Sequence, residues 1–180
     1  MKSDNMRFYS AMLMAGCGLH AAAQTQRPNI VFIITDDHSF QTISAYGSEV
    51  SKLAPTPNID RLANEGARFD DAFVENSLST PARACLLTGL YSHQNGQRTL
   101  GKGIDSTKTF VSELLQDAGY QTGVVGKWHM QCRPKGFDFF RIFEGQGDYY
   151  TPLVLSHDSN GKYVREQGYA TDIVTEHAVE

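Results

Sequence analysis

The chain has 180 residues, enough for one domain or part of one, and its 41% hydrophobic content suits a globular core. Lys and Arg number 16 against 20 Asp and Glu, for a formal net charge of −4. That balance carries no basic footprint of a nucleic-acid-binding protein, yet it leaves room for a local cationic pocket that accepts an anionic sugar.

The first segment reads as an export signal. Lys2 and Arg7 form a basic n-region, Phe8 to Leu19 a short, mostly apolar stretch, and Ala21-Ala22-Ala23 a small-residue cleavage pattern ahead of Gln24. Cleavage after Ala23 is expected, so residues 1–23 are assigned to a signal peptide and 24–180 to the folded chain. Met14-Ala15-Gly16-Cys17 is an imperfect lipobox and makes lipidation of Cys17 the alternative. The stretch is too short and interrupted for a transmembrane span. Gly16 and Gly18 also weaken any buried helix there. Without the signal, Cys85 and Cys132 are left. An exported chain permits a disulfide, but nothing in the sequence says that the two meet, and two separate buried thiols is the simpler reading. Their spacing matches no zinc motif.

A polar linker, Gln24 to Pro28, leads to Asn29-Ile30-Val31-Phe32-Ile33-Ile34-Thr35. This continuous apolar, β-branched run predicts a strand buried on both faces of a parallel sheet, ending at Asp36-Asp37. A short helix is expected from Pro57, with Thr56 as its cap and Gly66 as its stop. Ala67 to Val74 reads as a second strand. The next helix is placed from Pro81 to Gly89, with Thr80 as N-cap and Ser79 just outside. Thr109 to Ala118 has helical spacing and stops at Gly119, and Gln121 to Gly126 is a strand centred on Val124-Val125. Tyr169 to Glu180 reads as a helix with Ile173, Val174 and His177 on one side. It reaches Glu180 without a cap, as expected of a fragment of a longer domain. Strands alternating with helices predict an α/β fold with a largely parallel sheet.

Three segments carry chemistry. Ser79 precedes a helix start, where backbone N–H groups and the helix dipole favour an anion. Arg83 in the first turn offers a forked donor for oxyanion oxygens. On its own, Ser-Thr-Pro is also an ordinary capped helix. Asp36-Asp37 lies at a strand end, where open α/β sheets bind ligands. Adjacent carboxylates can hold a hard cation such as Ca²⁺; in isolation they read as a solvated acidic turn. Gly126-Lys127-Trp128-His129 follows a second strand, with a cation and an imidazole able to bind an anion and move a proton. Without context it is a loop with one His, and Trp128 packs rather than reacts. His38 and His93 lie near these motifs and could line a substrate pocket, though each reads first as a surface or packing residue. All three segments project ionisable groups from the same kind of sheet edge.

Ser79-Thr80-Pro81-Ala82-Arg83, continued by Ala84-Cys85-Leu86-Leu87-Thr88-Gly89, resembles the signature of type I, formylglycine-dependent sulfatases in its bacterial Ser form. Arg27-Pro28-Asn29-Ile30 through Asp37, and Gly126 through His129, resemble further elements of that family. The resemblance implies an alkaline-phosphatase-like mixed, largely parallel sheet flanked by helices, of which 24–180 would form the N-terminal part. It implies that a radical sulfatase-maturation enzyme oxidises Ser79 to formylglycine before the export machinery takes the chain. It implies one Ca²⁺ held by Asp36, Asp37 and Ser79, with Arg83 stabilising charge, Lys127 binding sulfate and bridging to the nucleophile, and His129 assisting proton movement. In the family one hydroxyl of the hydrated formylglycine attacks sulfur and the second drives release of sulfate. Unmodified Ser79 would lack that second hydroxyl.

Gly145-Gln146-Gly147-Asp148-Tyr149-Tyr150, and His38-Ser39-Phe40-Gln41 with Ala45-Tyr46-Gly47, are similar to the N-acetylglucosamine-6-sulfatase group. They point to a sulfated glycan as substrate. Further metal and sulfate ligands of the family fall later than residue 180, so these residues alone are expected to be inactive and poorly stable. The expected location is the periplasm or the exterior of a bacterium. Two alternatives stay open: a phosphonate or phosphodiester hydrolase of the same superfamily, and a non-catalytic glycan-binding relative in which Ser79 stays a serine.

Overall fold

The computed structural model describes residues 27–180. The signal peptide, its cleavage after Ala23 and the lipobox at Cys17 lie outside the described residues. The chain divides into two units, Met1–His38 and Ser39–Glu180.

In the first unit, residues 27–38 form neither ladder nor helix. Val31 is 83% exposed, and Ile30, Phe32 and Ile33 are exposed with it. The strand expected over Asn29–Thr35 is therefore not formed. The apolar pattern calls for burial on both faces, but a strand also needs a ladder partner, and no described residue pairs with this run. Ala67–Val74 is corrected in the same way: it is irregular, with Phe73 90% exposed.

The second unit opens with three short 3-10 turns, Phe40–Thr42, Ser44–Tyr46 and Val50–Lys52. Helix α1, Pro57–Glu65, starts with Pro57 in its first turn and stops at Gly66, as the sequence predicts. Thr56 does not cap it through its side chain. Its hydroxyl instead accepts from the Ser44 N–H at 3.0 Å, and the Ser44 hydroxyl donates to Asp60 at 2.6 Å, which ties the preceding turn to the helix. Helix α2 is Ser79–Thr88, α3 is Ser92–Asn95 and α4 is Val111–Asp117. Strands β1, Gly123–Lys127, β2, Phe139–Phe143, β3, Leu153–Ser156, and β4, Tyr163–Arg165, precede α5, Ala170–Val179.

The strands form one mixed sheet in the order β1-β2-β3-β4. β1 and β2 are parallel, with Gly123 beside Phe139 and Lys127 beside Phe143. The hairpins β2–β3 and β3–β4 are antiparallel. Because β1 and β2 run the same way, the residues that follow them, Lys127-Trp128-His129 and Glu144–Tyr150, leave the sheet at one edge.

Side-chain alternation along β2 divides the packing. Phe140 and Ile142 face a core that also takes Leu155, Trp128, Met130, Phe110, Ile104 and Ala84. Phe143 packs with Val154, Ala170 and Ile173 in a second cluster, which brings α5 onto the sheet. Gly126 permits that approach: its φ is 93°, and a Cβ there would meet Val174 at 3.3 Å. Phe110 is fully buried, with the Lys135 ammonium 4.8 Å from its ring centre. Among the described residues Cys85 is a buried free thiol and Cys132 a half-buried one, in line with the two-thiol reading.

Candidate active site

Local chemistry fixes how α2 begins. The Leu78 N–H donates to the Asn76 side chain at 3.0 Å, and Asn76 in turn donates to Ser92 at 3.0 Å, so the entry to the helix is held from two sides. Leu78, in extended conformation, is the N-cap. Ser79 and Thr80 are therefore the first two helical residues, not the residues before it. This corrects the expected register by two positions. Pro81 has no N–H to lose and stays within the first turn, where helical amides lack partners in any case. The earliest amide to close on the cap is that of Ala82, which donates to the Leu78 carbonyl at 2.8 Å. The helix ends at Gly89, in the left-handed region at φ 65°.

The sequence missed the role of Thr80. Capping propensity marks it as a half-exposed boundary residue, yet it is 0% exposed. Its hydroxyl donates to the His129 carbonyl at 3.3 Å, and the His129 Nδ1 lies 3.5 Å from the same oxygen. Three residues on, the Arg83 Nη1 donates to the Lys127 carbonyl at 2.8 Å. Two side chains of α2 thus grip the backbone just after β1. Ser79, Arg83, Lys127 and His129 are brought together by these bonds. Arg83, Lys127 and His129 are each half-buried.

Two local features single this place out. The Ser79 Oγ is buried and has no hydrogen-bond partner among the described residues. Leaving a buried hydroxyl unsatisfied costs about 1–3 kcal/mol, so it calls for an explanation. His129 takes φ 51°, and Gln131 φ 54°. Bulky residues rarely adopt that region, and such strain collects at functional sites. Trp128 between the two segments is buried, and its indole donates to the Cys132 carbonyl at 2.6 Å, so it packs as the sequence reading has it. Burial pushes the Cys132 thiol above its usual range and keeps it protonated.

Asp36 and Asp37 belong to the first unit. Both are exposed, and Asp37 adopts φ 55°, which Asp tolerates better than most residues. Their oxygen donors suit a hard cation, but Ca²⁺ takes roughly six to eight oxygens and two carboxylates supply only part of such a set. No group of three or more His, Cys, Asp or Glu that could hold a metal occurs among the described residues. His38 is exposed, and His93 is exposed and stacked on Tyr91 at 5.8 Å. In the loop after β2, Gly145 and Gly147 take φ 54° and 83°, while Tyr149 and Tyr150 are exposed. Tyr150 lies 5.2 Å from the Tyr169 ring, and the Ala170 N–H donates to the Tyr149 carbonyl at 2.8 Å.

Comparison with known proteins adds a second line. The family profile of the sulfatases matches residues 28–180. The chain is 46% identical over 173 residues to an N-acetylglucosamine-6-O-sulfatase of Bacteroides thetaiotaomicron, covering 94% of this chain and 30% of that relative. It is 38% identical over 133 residues to an N-acetylgalactosamine-6-O-sulfatase of the same organism, covering 69% of this chain and 25% of the relative. A solved structure in complex with its substrate D-glucosamine-2-N,6-O-disulfate superposes with a TM-score of 0.80 at 48% identity, over 86% of this chain and 31% of that one. Another, in complex with k-i-k-neocarrahexaose, gives a TM-score of 0.74 at 33% identity, over 86% of this chain and 41% of the other. The chain spans about a third of the length of these relatives, from 25% to 41%.

Proposed function

This chain belongs to the sulfatase family, and on that premise we propose that the protein hydrolyses sulfate esters of glycans, in particular the 6-O-sulfate of N-acetylglucosamine. The observation that carries the reading is the Ser79 hydroxyl: buried, without a partner, in the first turn of α2, inside the family signature. A helix start presents unpaired amides to an anion, and a nucleophile there meets a sulfate group whose charge those amides favour.

Each of the other residues has a role in this proposal. Arg83 binds sulfate oxygens while its anchor on the Lys127 carbonyl fixes its direction. Lys127 binds sulfate and bridges to the nucleophile, adding a second positive charge where negative charge grows during transfer. His129 moves a proton at the nucleophile, its ring held near the Thr80 hydroxyl. Formylglycine made from Ser79 would supply the activated hydroxyl, formed with loss of two hydrogens to a maturation enzyme of the radical class. Asp36 and Asp37 are the residues that would hold Ca²⁺, an ion that would supply positive charge for sulfate transfer.

We also read the protein as exported to the periplasm or beyond, on the strength of the basic and apolar segments before Gln24. No helix of the described residues is long and apolar enough to cross a membrane. The experiment is a release assay on the full-length protein, matured in its host, with N-acetylglucosamine 6-sulfate and matched aryl sulfate and phosphate esters. The proposal expects free sulfate from the sugar ester and faster turnover of sulfate than of phosphate. Phosphate release exceeding sulfate release would move the protein to the phosphohydrolase branch, and no release of either would favour glycan binding alone.

A further inference from the structure

Beside the catalytic turn lies a cleft of about 400 Å³, whose walls include His129, Gln131, Arg133, Phe143, Gly145 and Tyr163. Its volume falls within the about 300–1,000 Å³ of small-ligand clefts, room for a saccharide and not for a folded partner. One wall is the turn after β1, which four bonds hold rigid. Thr80 donates to the His129 carbonyl at 3.3 Å, and the Ile104 N–H to the Met130 carbonyl at 3.2 Å. Trp128 donates to the Cys132 carbonyl at 2.6 Å, and the Gln131 side chain to the Leu100 carbonyl at 3.3 Å. These bonds keep His129 and Gln131 in their left-handed conformations, at φ 51° and 54°. The rest of the lining comes from the end of β2, Gly145 after it, Leu155 of β3 and Tyr163 of β4.

The lining is mixed in a specific way. Tyr163 offers exposed aromatic surface, Gln131 an amide and Arg133 a guanidinium resting over the Phe140 ring at 5.7 Å. An apolar face, an amide and one cation match a sugar ring that bears an anionic substituent, since the ring packs on carbon and the substituent pairs with guanidinium nitrogens.

We infer that this cleft binds the saccharide adjoining the sulfated sugar, and that Arg133 selects for a neighbour carrying a negative charge, whether sulfate or carboxylate. The inference rests on the sulfatase reading for its substrate, but its binding test stands apart from turnover. Full-length Ser79→Ala protein, which cannot form the nucleophile, is titrated calorimetrically with three 6-sulfated disaccharides whose second sugar bears a sulfate, a carboxylate or no charge. Adding Arg133→Ala should weaken binding of the charged-neighbour ligands about tenfold and leave the neutral one unchanged. A sulfate-only loss assigns the cleft to a second sulfate, and a carboxylate-only loss to a uronate. Arg133→Gln keeps a polar side chain without the charge and should reproduce the loss, whereas Arg133→Lys, which keeps a positive charge, should restore part of the preference for charged neighbours. In the otherwise native protein, Arg133→Ala should raise KM for charged-neighbour substrates while leaving turnover of a small aryl sulfate intact. Equal affinity with and without Arg133, or an equal loss for all three ligands, overturns the inference. Failure of the native protein to release sulfate, with the binding difference kept, overturns the sulfatase reading instead.

Discussion

At the residue scale, the cost of the site falls on Ser79. Its buried hydroxyl lacks a partner, so Ser79→Ala removes an unsatisfied polar group and not a bond. Thermal melting should show the variant as stable as the parent or slightly more so, while sulfate release drops to background. Thr80 behaves oppositely. Thr80→Val keeps the shape but deletes the hydroxyl that holds the His129 carbonyl. It should cost about 1 kcal/mol in denaturant unfolding, and it should lower kcat more than it raises KM, because it acts by positioning His129. Arg83→Lys keeps the charge but loses the fork that reaches the Lys127 carbonyl and, in the proposed mechanism, sulfate. A drop in kcat/KM of about 100-fold is expected in steady-state assays. The sequence singled out Ser79 and Arg83 by motif, and both lie in the first half of α2. It made Thr80 the N-cap because capping signals are local, and it gave no sign of the burial of Thr80 or of its bond to His129, about 50 positions away along the chain.

At the element scale, legibility followed how self-contained each signal was. Helices α1 and α2 and strand β1 carried their own periodicity and stop residues, α5 its periodicity alone, and all formed close to their expected bounds. Asn29–Thr35 and Ala67–Val74 carried only apolar content. That content reports a demand for burial, not which strand answers it, and neither segment has a ladder partner among the described residues. The hairpins β2–β3–β4 were not predicted, because their short strands and intervening turns give little period to read. Two element-scale predictions follow from close approaches. Gly126→Ala forces a side chain into φ 93° and against Val174. It should destabilise the sheet–α5 contact by more than about 1 kcal/mol in chemical unfolding. Asp138 joins three elements by accepting from the Thr122 N–H at 2.8 Å, the Gln116 amide at 2.8 Å and the Thr122 hydroxyl at 3.2 Å. The bond from the Thr122 amide, above all, holds its carboxyl below the usual range. A depressed carboxyl pKa stabilises the fold above the unfolded value near 3.8 and loses that stabilisation as pH falls through the lower folded value. Asp138→Asn should therefore lower the melting temperature at neutral pH, and the gap to the parent should close as the pH drops below that range.

At the scale of the whole molecule, the parallel pairing of β1 and β2 sets the layout. It delivers Lys127-Trp128-His129 and the Glu144–Tyr150 loop to one sheet edge, and α2 is bonded to that edge through Thr80 and Arg83. The turn that carries Lys127 and His129 consequently shares a wall with the cleft of about 400 Å³. The sequence anticipated the edge, since open α/β sheets bind ligands where parallel strands end. It gave no sign of the cleft, which arises where residues from the turn, β2 and β4 meet and has no contiguous motif. The central claim is that Ser79 becomes the formylglycine nucleophile of a sulfatase. Mass spectrometry of the tryptic peptide Phe69 to Arg83, from full-length protein purified from its native host, tests it most directly. Oxidation of Ser79 gives a peptide lighter by two hydrogens, with an aldehyde at that position that a hydrazide traps. A fully unmodified Ser79 in exported, folded protein would contradict it.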